Sequence, residues 1–208
     1  MNPFDEKAAT WDDNPGRRAL ARAAFEAMSR AVTWDQTWRV LDAGAGTGLL
    51  TLAVLPHVAR VTAVDNSAGM LEVLARKAAN LPVDTHLCPL EALDLPAASF
   101  DAVISSMALH HVRDTAAALA GFARVLRPAV GPRPGGHLLL ADLDLEDGSF
   151  HSDHVGVHHP GFDRASLAAA LAAAGFTGVS FTTAWEMPRV RPDGTTRHFP
   201  VFLAHATV

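Results

Sequence analysis

The segment VLDAGAGTG, residues 40–48, is the strongest indication of the fold in this sequence. An apolar strand there runs into a glycine loop, and residues 49–58 continue with a pattern that predicts a helix. Glycines in such a loop let the backbone turn tightly and approach a ligand closely. Their spacing is GxGxG, because Leu49 stands where a GxGxxG dinucleotide fingerprint has its third glycine. Asp42 would repel a pyrophosphate and attract an ammonium or sulfonium group. A generic strand-to-helix turn is the alternative.

Strand and helix patterns alternate from residue 38 to residue 175. The predicted strands are 38–41, 60–64, 83–87, 100–105 and 137–143, and the predicted helices are 17–30, 49–58, 68–80, 115–126 and 164–174. Ser67, Asp114 and Asp163 are the expected N-caps, and Gly175 is expected to end the last helix. This alternation predicts an α/β, Rossmann-like, mostly parallel sheet with helices on both faces.

The chain after residue 175 departs from the alternation. Two strand patterns, 179–185 and 198–206, flank the turn sequence PDGT at 192–195, which predicts a C-terminal antiparallel hairpin. The proline- and glycine-rich segment 128–136 is expected to be an exposed loop. We therefore predict a single domain over residues 1–208, with residues 1–35 as an N-terminal helical cap.

Two further segments carry candidate ligand contacts. Asp65 ends the second strand, where its carboxylate can accept hydrogen bonds from both ribose hydroxyls of a nucleoside. The alternative role, capping the next helix, already suits Ser67. The loop after the third strand holds Leu90 and Glu91, whose backbone N–H groups could bind the edge of a base. Asp101 lies at the opposite end of its strand and is expected to be structural.

Composition excludes several classes of protein. The chain has 208 residues, 49% of them hydrophobic and 19% charged, so it can bury a full core and is not disordered. A net charge of −5 argues against nucleic-acid binding. Cys88 is the single cysteine, which excludes an internal disulfide and fits a reducing, cytoplasmic location. No apolar run predicts a signal peptide or a membrane span. The absence of Tyr and the preference for Arg over Lys are typical of a GC-rich bacterial genome.

Taken together, these segments carry a family resemblance. The sequence resembles class I S-adenosylmethionine-dependent methyltransferases, most closely the small-molecule branch that includes ubiquinone/menaquinone methyltransferase-like proteins. The resemblance runs from about Phe4 to the end, is strongest over 40–136, and rests on DAGAGTG at 42–48, Asp65, EAL at 91–93, SFD at 99–101 and RVLRP at 124–128. It implies a seven-stranded sheet with a reversed last hairpin, and S-adenosyl-L-methionine as the cofactor.

The resemblance also implies a set of cofactor-binding residues. They are Asp42, Gly44, Ala45 and Gly46 near the methionine part, Asp65 at the ribose, Leu90 and Glu91 at the adenine, Asn66 and Met70 beside the nucleoside, and Ser105 near the methionine part. Two departures stand out. Pro89 replaces an acid that usually binds the adenine amino group, so adenine recognition would rest more on backbone groups. Residues 129–134 are an insertion that we expect to be solvated.

Histidines dominate the segments expected on the substrate side. His110 and His111 follow strand four, where an imidazole could accept a proton or simply shape the pocket wall. His151, His154, His158 and His159 share one acidic loop. Their spacing matches no metal motif, so we predict no metal, although imidazole and carboxylate groups together would suit one. A polar loop that lines the substrate pocket is the favoured interpretation, and a direct role with the substrate is the alternative. We name His158 and His159, with the earlier pair, as candidate catalytic residues. Phe4 and Trp11 either close over a ligand or pin the first helix.

The function predicted is in-line methyl transfer from S-adenosyl-L-methionine to a small-molecule acceptor, with no nucleic-acid or membrane partner. The patterns leave the acceptor and the oligomeric state open. A non-catalytic S-adenosylmethionine-binding protein is the first alternative. An NAD-dependent oxidoreductase is the second, disfavoured by Leu49 and by the lack of any Tyr for a Tyr–Lys relay.

Overall fold

The computed structural model describes residues 2–132, 134–151, 155–190 and 194–208. Seven strands occur in these ranges: β1 Arg39–Ala43, β2 Arg60–Asp65, β3 Val83–Leu87, β4 Ala102–Ser106, β5 His137–Leu143, β6 Thr177–Val190 and β7 Thr196–Thr207. The α-helices are α1 Pro15–Ala31, α2 Leu49–Val54, α3 Ala68–Lys77, α4 Thr115–Val125 and α5 Arg164–Ala173. Short 3₁₀ helices cover Ala8–Asp13, Leu55–His57, Leu90–Ala92 and Leu109–His111.

The strands form one sheet in the order β3-β2-β1-β4-β5-β7-β6. The first five strands in that order are parallel, and β7 pairs antiparallel with both β5 and β6. The predicted fold class and the C-terminal hairpin are therefore confirmed. Because β1 has β2 on one side and β4 on the other, the strand order reverses there. Such a switch point opens a crevice at the carboxyl ends of the strands.

Alternating residues of the central strands belong to two hydrophobic cores, one on each face of the sheet. On one face, Leu138 and Leu140 of β5 join the buried side chains of α4 and α5. On the other face, Leu139 and Ala141 join those of α1 and α2. Burial on both faces explains why these strands read as continuous apolar runs. Among the described residues, no helix combines the length and the apolar character needed to cross a bilayer.

The predicted helix caps are present as hydrogen bonds. The Ser67 hydroxyl accepts from the Met70 N–H at 3.2 Å, and the Asp114 carboxylate accepts from the Ala117 N–H at 2.9 Å. Asp163 accepts from the Ser166 N–H at 2.8 Å. Gly175, with φ +98°, follows α5 in the left-handed conformation that glycine adopts most easily.

Asp101 has the structural role predicted for it. Its carboxylate accepts hydrogen bonds from the backbone N–H of Arg39 at 2.8 Å and from the guanidinium of Arg127 at 2.6 Å. It therefore joins the start of β1 to the segment after α4, at the edge of the sheet opposite the crevice.

Several predicted boundaries were wrong. α2 ends at Val54, because the chain continues as the 3₁₀ helix Leu55–His57, which contains Pro56. α3 ends at Lys77 rather than at residue 80, and β4 begins at Ala102 rather than at residue 100. The hairpin strands β6 and β7 are much longer than their patterns indicated.

Two predicted loops also need comment. Gly135 and Gly136 are buried, against the prediction of an exposed loop over 128–136, because the chain end packs on them. A Cβ on Gly135 would lie 1.8 Å from the carbonyl oxygen of Val208. The hairpin turn predicted at 192–195 lies partly outside the described residues.

Candidate functional site

A cleft lies at the carboxyl ends of β1, β2 and β4, where the strand order reverses. It encloses about 1040 Å³ of space, including solvent at its mouth. Its lining comes from the glycine loop, the ends of β2 and β4, the segment after β3, and the N-terminal region. This is the size and position of a small-molecule site in an open α/β sheet.

The glycine loop forms the floor of the cleft. Gly44 has φ +78°, and a Cβ there would lie 2.2 Å from the Cβ of Ala108, so this position must stay without a side chain. Gly46 has φ +54°, and no heavy atom lies within 4 Å of where its Cβ would be. The space beside Gly46 is part of the cleft. The backbone can therefore approach a ligand directly, which a generic tight turn would not require.

Asp65 holds this loop to the end of β2. One carboxylate oxygen accepts from the Gly46 N–H at 2.8 Å, and the other accepts from the Ser67 N–H at 2.9 Å. Burial raises the pKa of this carboxyl, although both hydrogen bonds oppose the shift. Each oxygen keeps a second lone pair. The residue can thus accept further hydrogen bonds from a pair of hydroxyls in the cleft.

Asp42 is almost fully buried at the end of β1, and its carboxylate accepts a hydrogen bond from the Thr51 hydroxyl at 2.6 Å. Burial raises its pKa to about 7; the Thr51 hydrogen bond opposes this shift and the negative charge of Asp65 adds to it. Such a carboxyl is about half ionised near pH 7, and a nearby cation favours its ionised form. The site therefore favours a positively charged group.

All the remaining predicted cofactor residues except Ser105 line the same cleft. Leu90 and Met70 contribute buried apolar side chains, whereas Asn66 and Glu91 are polar and partly or fully exposed. Ser105 is the exception. Its buried hydroxyl donates to the carbonyl of Ala43 at 2.7 Å, beneath the cleft surface.

Two further residues of this segment follow Ser105, and the sequence did not single out the second of them. Ser106 and Met107 both line the cleft. Met107 has φ +56°, a conformation that costs a non-glycine residue energy, and its N–H donates to the Ala141 carbonyl at 2.9 Å. Backbone strain of this kind concentrates at functional sites.

The N-terminal segment covers part of the mouth. Phe4 and Trp11 line the cleft and meet edge to face, with ring centroids 5.8 Å apart. The guanidinium of Arg17 lies 3.5 Å from the centre of the Trp11 ring and donates to the Trp11 carbonyl at 3.1 Å. Arg17 is a cleft residue that no sequence pattern singled out. The two roles considered for the aromatic residues are therefore compatible, since both line the cleft and Trp11 also contacts Arg17 of α1.

Acidic residues anchor this segment to the rest of the site. Asp5 accepts from the Ser67 hydroxyl at 2.6 Å and from the Gly69 N–H at 3.1 Å. Asp12 accepts from the Thr47 hydroxyl at 2.5 Å and pairs with Lys77 at 2.6 Å. The segment is thus fixed both to the glycine loop and to α3.

Of the candidate catalytic histidines, His111 lines the cleft. Its Nδ1 donates to the Gly156 carbonyl at 2.8 Å, and burial together with the neighbouring His110 lowers its pKa to about 4. His110 lies behind it, buried, with Nδ1 2.6 Å from the carboxylate of Asp142. The sequence did not single out Asp142, although its place in β5, next to the end of β4, could have indicated it.

His158 and His159 do not line the cleft. Their backbone N–H groups donate to the His110 carbonyl at 3.0 and 3.1 Å, and His159 Nε2 donates to the Val112 carbonyl at 3.0 Å. They support the segment that carries His110 and His111. His151 reaches the same group, with its ring centroid 5.0 Å from that of His110. The predicted residue His154 lies outside the described residues.

Comparisons with known proteins agree with this geometry. Residues 40–129 match the family model described as a methyltransferase domain. The chain is 40% identical over 123 residues to a ubiquinone biosynthesis O-methyltransferase of Methylocella silvestris, covering 58% of this chain and 46% of that protein. It is 36% identical over 134 residues to an uncharacterized methyltransferase of Mycobacterium tuberculosis, covering 63% and 65%.

A solved structure shares the fold. The methyltransferase in complex with the Trm112 methyltransferase activator of Haloferax volcanii superposes with a TM-score of 0.81 at 20% identity, over 100% of this chain and 98% of that one. These matches make the chain similar to methyltransferases in sequence over residues 40–129 and in fold over its whole length. The alignments span between about half and two thirds of the length of the curated relatives.

Proposed function

We propose that this protein transfers the methyl group of S-adenosyl-L-methionine to a small-molecule acceptor. The observation that carries the proposal is that a single cleft has Asp42 and Asp65 on its wall with the bare backbone of Gly46 beside them. Asp42 suits the cationic amino-acid end of the cofactor, and Asp65 suits the two ribose hydroxyls. Open space at Gly46 leaves room for the chain between them.

The chemistry of the cleft fits this cofactor better than a dinucleotide. A pyrophosphate would face two buried carboxyls, whereas a sulfonium and an ammonium would be attracted by them. Leu90 and Met70 offer apolar surface for a base. The NAD-dependent alternative is therefore disfavoured by charge as well as by Leu49.

Bound S-adenosylmethionine supplies an activated methyl group, so the main task of the chain is alignment. Phe4 and Trp11 over the mouth exclude water from the reacting groups. His111 is the candidate contact for the acceptor: its Nδ1 proton is committed to Gly156, which leaves Nε2 unprotonated, and its pKa of about 4 makes it a weak base at neutral pH. His110 orients that ring, and His158 and His159 support the segment.

Two further parts of the proposal concern the whole chain. We propose that residues 1–35 act as a helical cap on a single domain, because α1 packs into the same core as β5. We also propose a bacterial cytoplasmic setting with a small-molecule partner. The buried thiol of Cys88, which donates to the carbonyl of Ala92 at 3.1 Å, is in keeping with a reducing compartment.

Calorimetry with S-adenosylhomocysteine tests the cofactor assignment. We expect micromolar binding by the ligand-stripped protein, none for NAD, and at least about 10-fold weaker binding by Asp65→Asn, which can still accept the Gly46 hydrogen bond. Binding of NAD instead would refute the proposal.

Turnover then separates an enzyme from a binding protein. The ligand-stripped protein is incubated with methyl-labelled S-adenosylmethionine and a panel of phenols, amines and thiols. Labelled product from at least one acceptor is expected. Binding without turnover across the panel would favour the non-catalytic alternative.

A further inference from the structure

The segment after β4 and the segment after β5 bring three imidazoles together beside the cleft. His110, His111 and His151 each offer a ring nitrogen, and the three atoms lie within 4.8 Å of one another. Tetrahedral zinc with nitrogen ligands at its usual bond length places them roughly 3.3 Å apart. Metal binding would therefore draw the three nitrogens closer together by at most about 1.5 Å.

Hydrogen bonds orient two of these rings in the manner of metal ligands. His110 Nδ1 is engaged by the Asp142 carboxylate at 2.6 Å, and His111 Nδ1 by the Gly156 carbonyl at 2.8 Å. A carbonyl can only accept, so His111 carries its proton on Nδ1 and leaves the Nε2 lone pair exposed. A carboxylate or carbonyl on the far nitrogen is the usual second partner of a metal-bound histidine.

His110 provides the second, independent indication of a ligand. Its side chain is 1% exposed, and its Nε2 is buried without a hydrogen-bond partner in the structure. A buried polar atom left in this way costs free energy, and native proteins avoid it. The same nitrogen belongs to the ring that contacts both other histidines, with centroids at 4.1 and 5.0 Å.

A second group of ligand-type side chains shows why the first is distinctive. His86, Cys88 and Asp94 also lie close enough to share an ion. There, however, His86 pairs directly with Asp94 at 2.6 Å, and the Cys88 thiol donates to two backbone carbonyls. Those groups satisfy one another, so they need no cation.

We propose that His110, His111 and His151 bind a divalent transition metal, zinc in the first instance, with Asp142 as the positioning residue. Three neutral imidazoles suit zinc, cobalt and nickel, and leave at least one coordination position for another ligand. Because His111 lines the cleft, that position faces the space next to the glycine loop. An oxygen or nitrogen atom of the acceptor can occupy it, which would fix the acceptor's orientation.

Metal binding is measured on the full chain, independently of methyl transfer. The protein is treated with EDTA, dialysed, and titrated with Co²⁺, whose visible absorption reports nitrogen ligation in a low-coordinate site; Zn²⁺ is then added as a competitor. We expect one Co²⁺ per chain, displaced by Zn²⁺. His111→Ala and His151→Ala should each weaken binding by about 100-fold or more, and Asp142→Asn by roughly 10- to 100-fold.

His86→Ala is the matched control, because it removes a histidine from the other group, and it should bind Co²⁺ like the unmodified protein. Circular dichroism and the midpoint of urea unfolding, measured on the same preparations, show that each variant is folded. Should His110→Ala fail to fold, the half-buried His151 still provides the test. Absence of Co²⁺ binding, or its loss in His86→Ala with retention in His151→Ala, would overturn the proposal. Failure of cofactor binding alone would bear on the methyltransferase proposal and not on this one.

Discussion

The buried carboxyl of Asp42 destabilises the ligand-free protein, and replacing it by Asn should remove that cost. Its pKa is about 7 in the folded chain, against roughly 3.9 in an unfolded one. Above pH 7 the carboxyl is ionised in both states, and the difference of about 3 pH units corresponds to about 4 kcal/mol. This value is an upper bound for a fully buried site.

The sign follows from which state binds the proton more tightly. The folded protein binds the proton of Asp42 more tightly than the unfolded chain does. The free energy of unfolding therefore falls as pH rises from about 4 through about 7, and then levels off. The side-chain amide in Asp42→Asn does not titrate, and its oxygen can still accept a hydrogen bond from the Thr51 hydroxyl. The difference in the free energy of unfolding between Asp42→Asn and the unmodified protein should therefore grow by about 2 to 3 kcal/mol between pH 5 and pH 8, in favour of the variant.

Urea unfolding of both ligand-free proteins at pH 5, 6, 7 and 8 measures this advantage. Asp13→Asn, which removes an exposed carboxylate, is the control and should show no such trend. Calorimetry with S-adenosylmethionine completes the experiment: the more stable Asp42→Asn should bind the cofactor at least about 10-fold more weakly, having lost the charge that attracts its cation. An advantage that stays constant between pH 5 and pH 8 would show that Asp42 ionises normally and would refute the reasoning.

Three further changes separate the roles of the glycines and the N-terminal segment. Gly44→Ala should lower the free energy of unfolding by about 2 kcal/mol or more in urea titrations, since its Cβ would lie 2.2 Å from that of Ala108; an unchanged midpoint would contradict this. Gly46→Ala should lower the free energy of unfolding by only about 1 kcal/mol, because its φ is positive. The added methyl group should nevertheless fill part of the cleft and raise the Kd for S-adenosylhomocysteine at least about 10-fold. An unchanged Kd would argue against a ligand beside Gly46. Trp11→Ala should raise the KM for S-adenosylmethionine several-fold without a large loss of stability, because its ring covers the mouth and contacts Arg17; an unchanged KM would mean that it only anchors α1.

The pH dependence of cofactor binding gives a last prediction from the same carboxyl. Binding a cation favours the ionised form of Asp42, so the affinity for S-adenosylmethionine should rise as pH increases towards about 7 and then level off. Calorimetry from pH 5.5 to 8.5 measures it. The trend should be absent in Asp42→Asn, and its persistence there would assign the titration to another group.

The architecture and much of the cleft followed from local sequence patterns. Strand and helix periods, the caps at Ser67 and Asp163, and the glycine spacing at 44–48 are short-range features, and each specifies its element without knowledge of the rest. The positions of Asp42 and Asp65 at the ends of consecutive parallel strands then placed both at one edge of the sheet. Element ends were less accurate, because long-range pairing, as in the hairpin of β6 and β7, extends strands beyond their own pattern.

The sheet, the glycine loop and the acids around it therefore follow from the order of the residues along the chain. The charge state of Asp42 does not, because its pKa depends on burial that no local pattern encodes. The same holds for the group formed by His110 and His151 with Asp142 behind them. These residues lie on segments some 30 to 40 positions apart in the chain and meet because β4 and β5 are neighbours in the sheet. Residue spacing alone cannot reveal a site whose members are brought together by strand order.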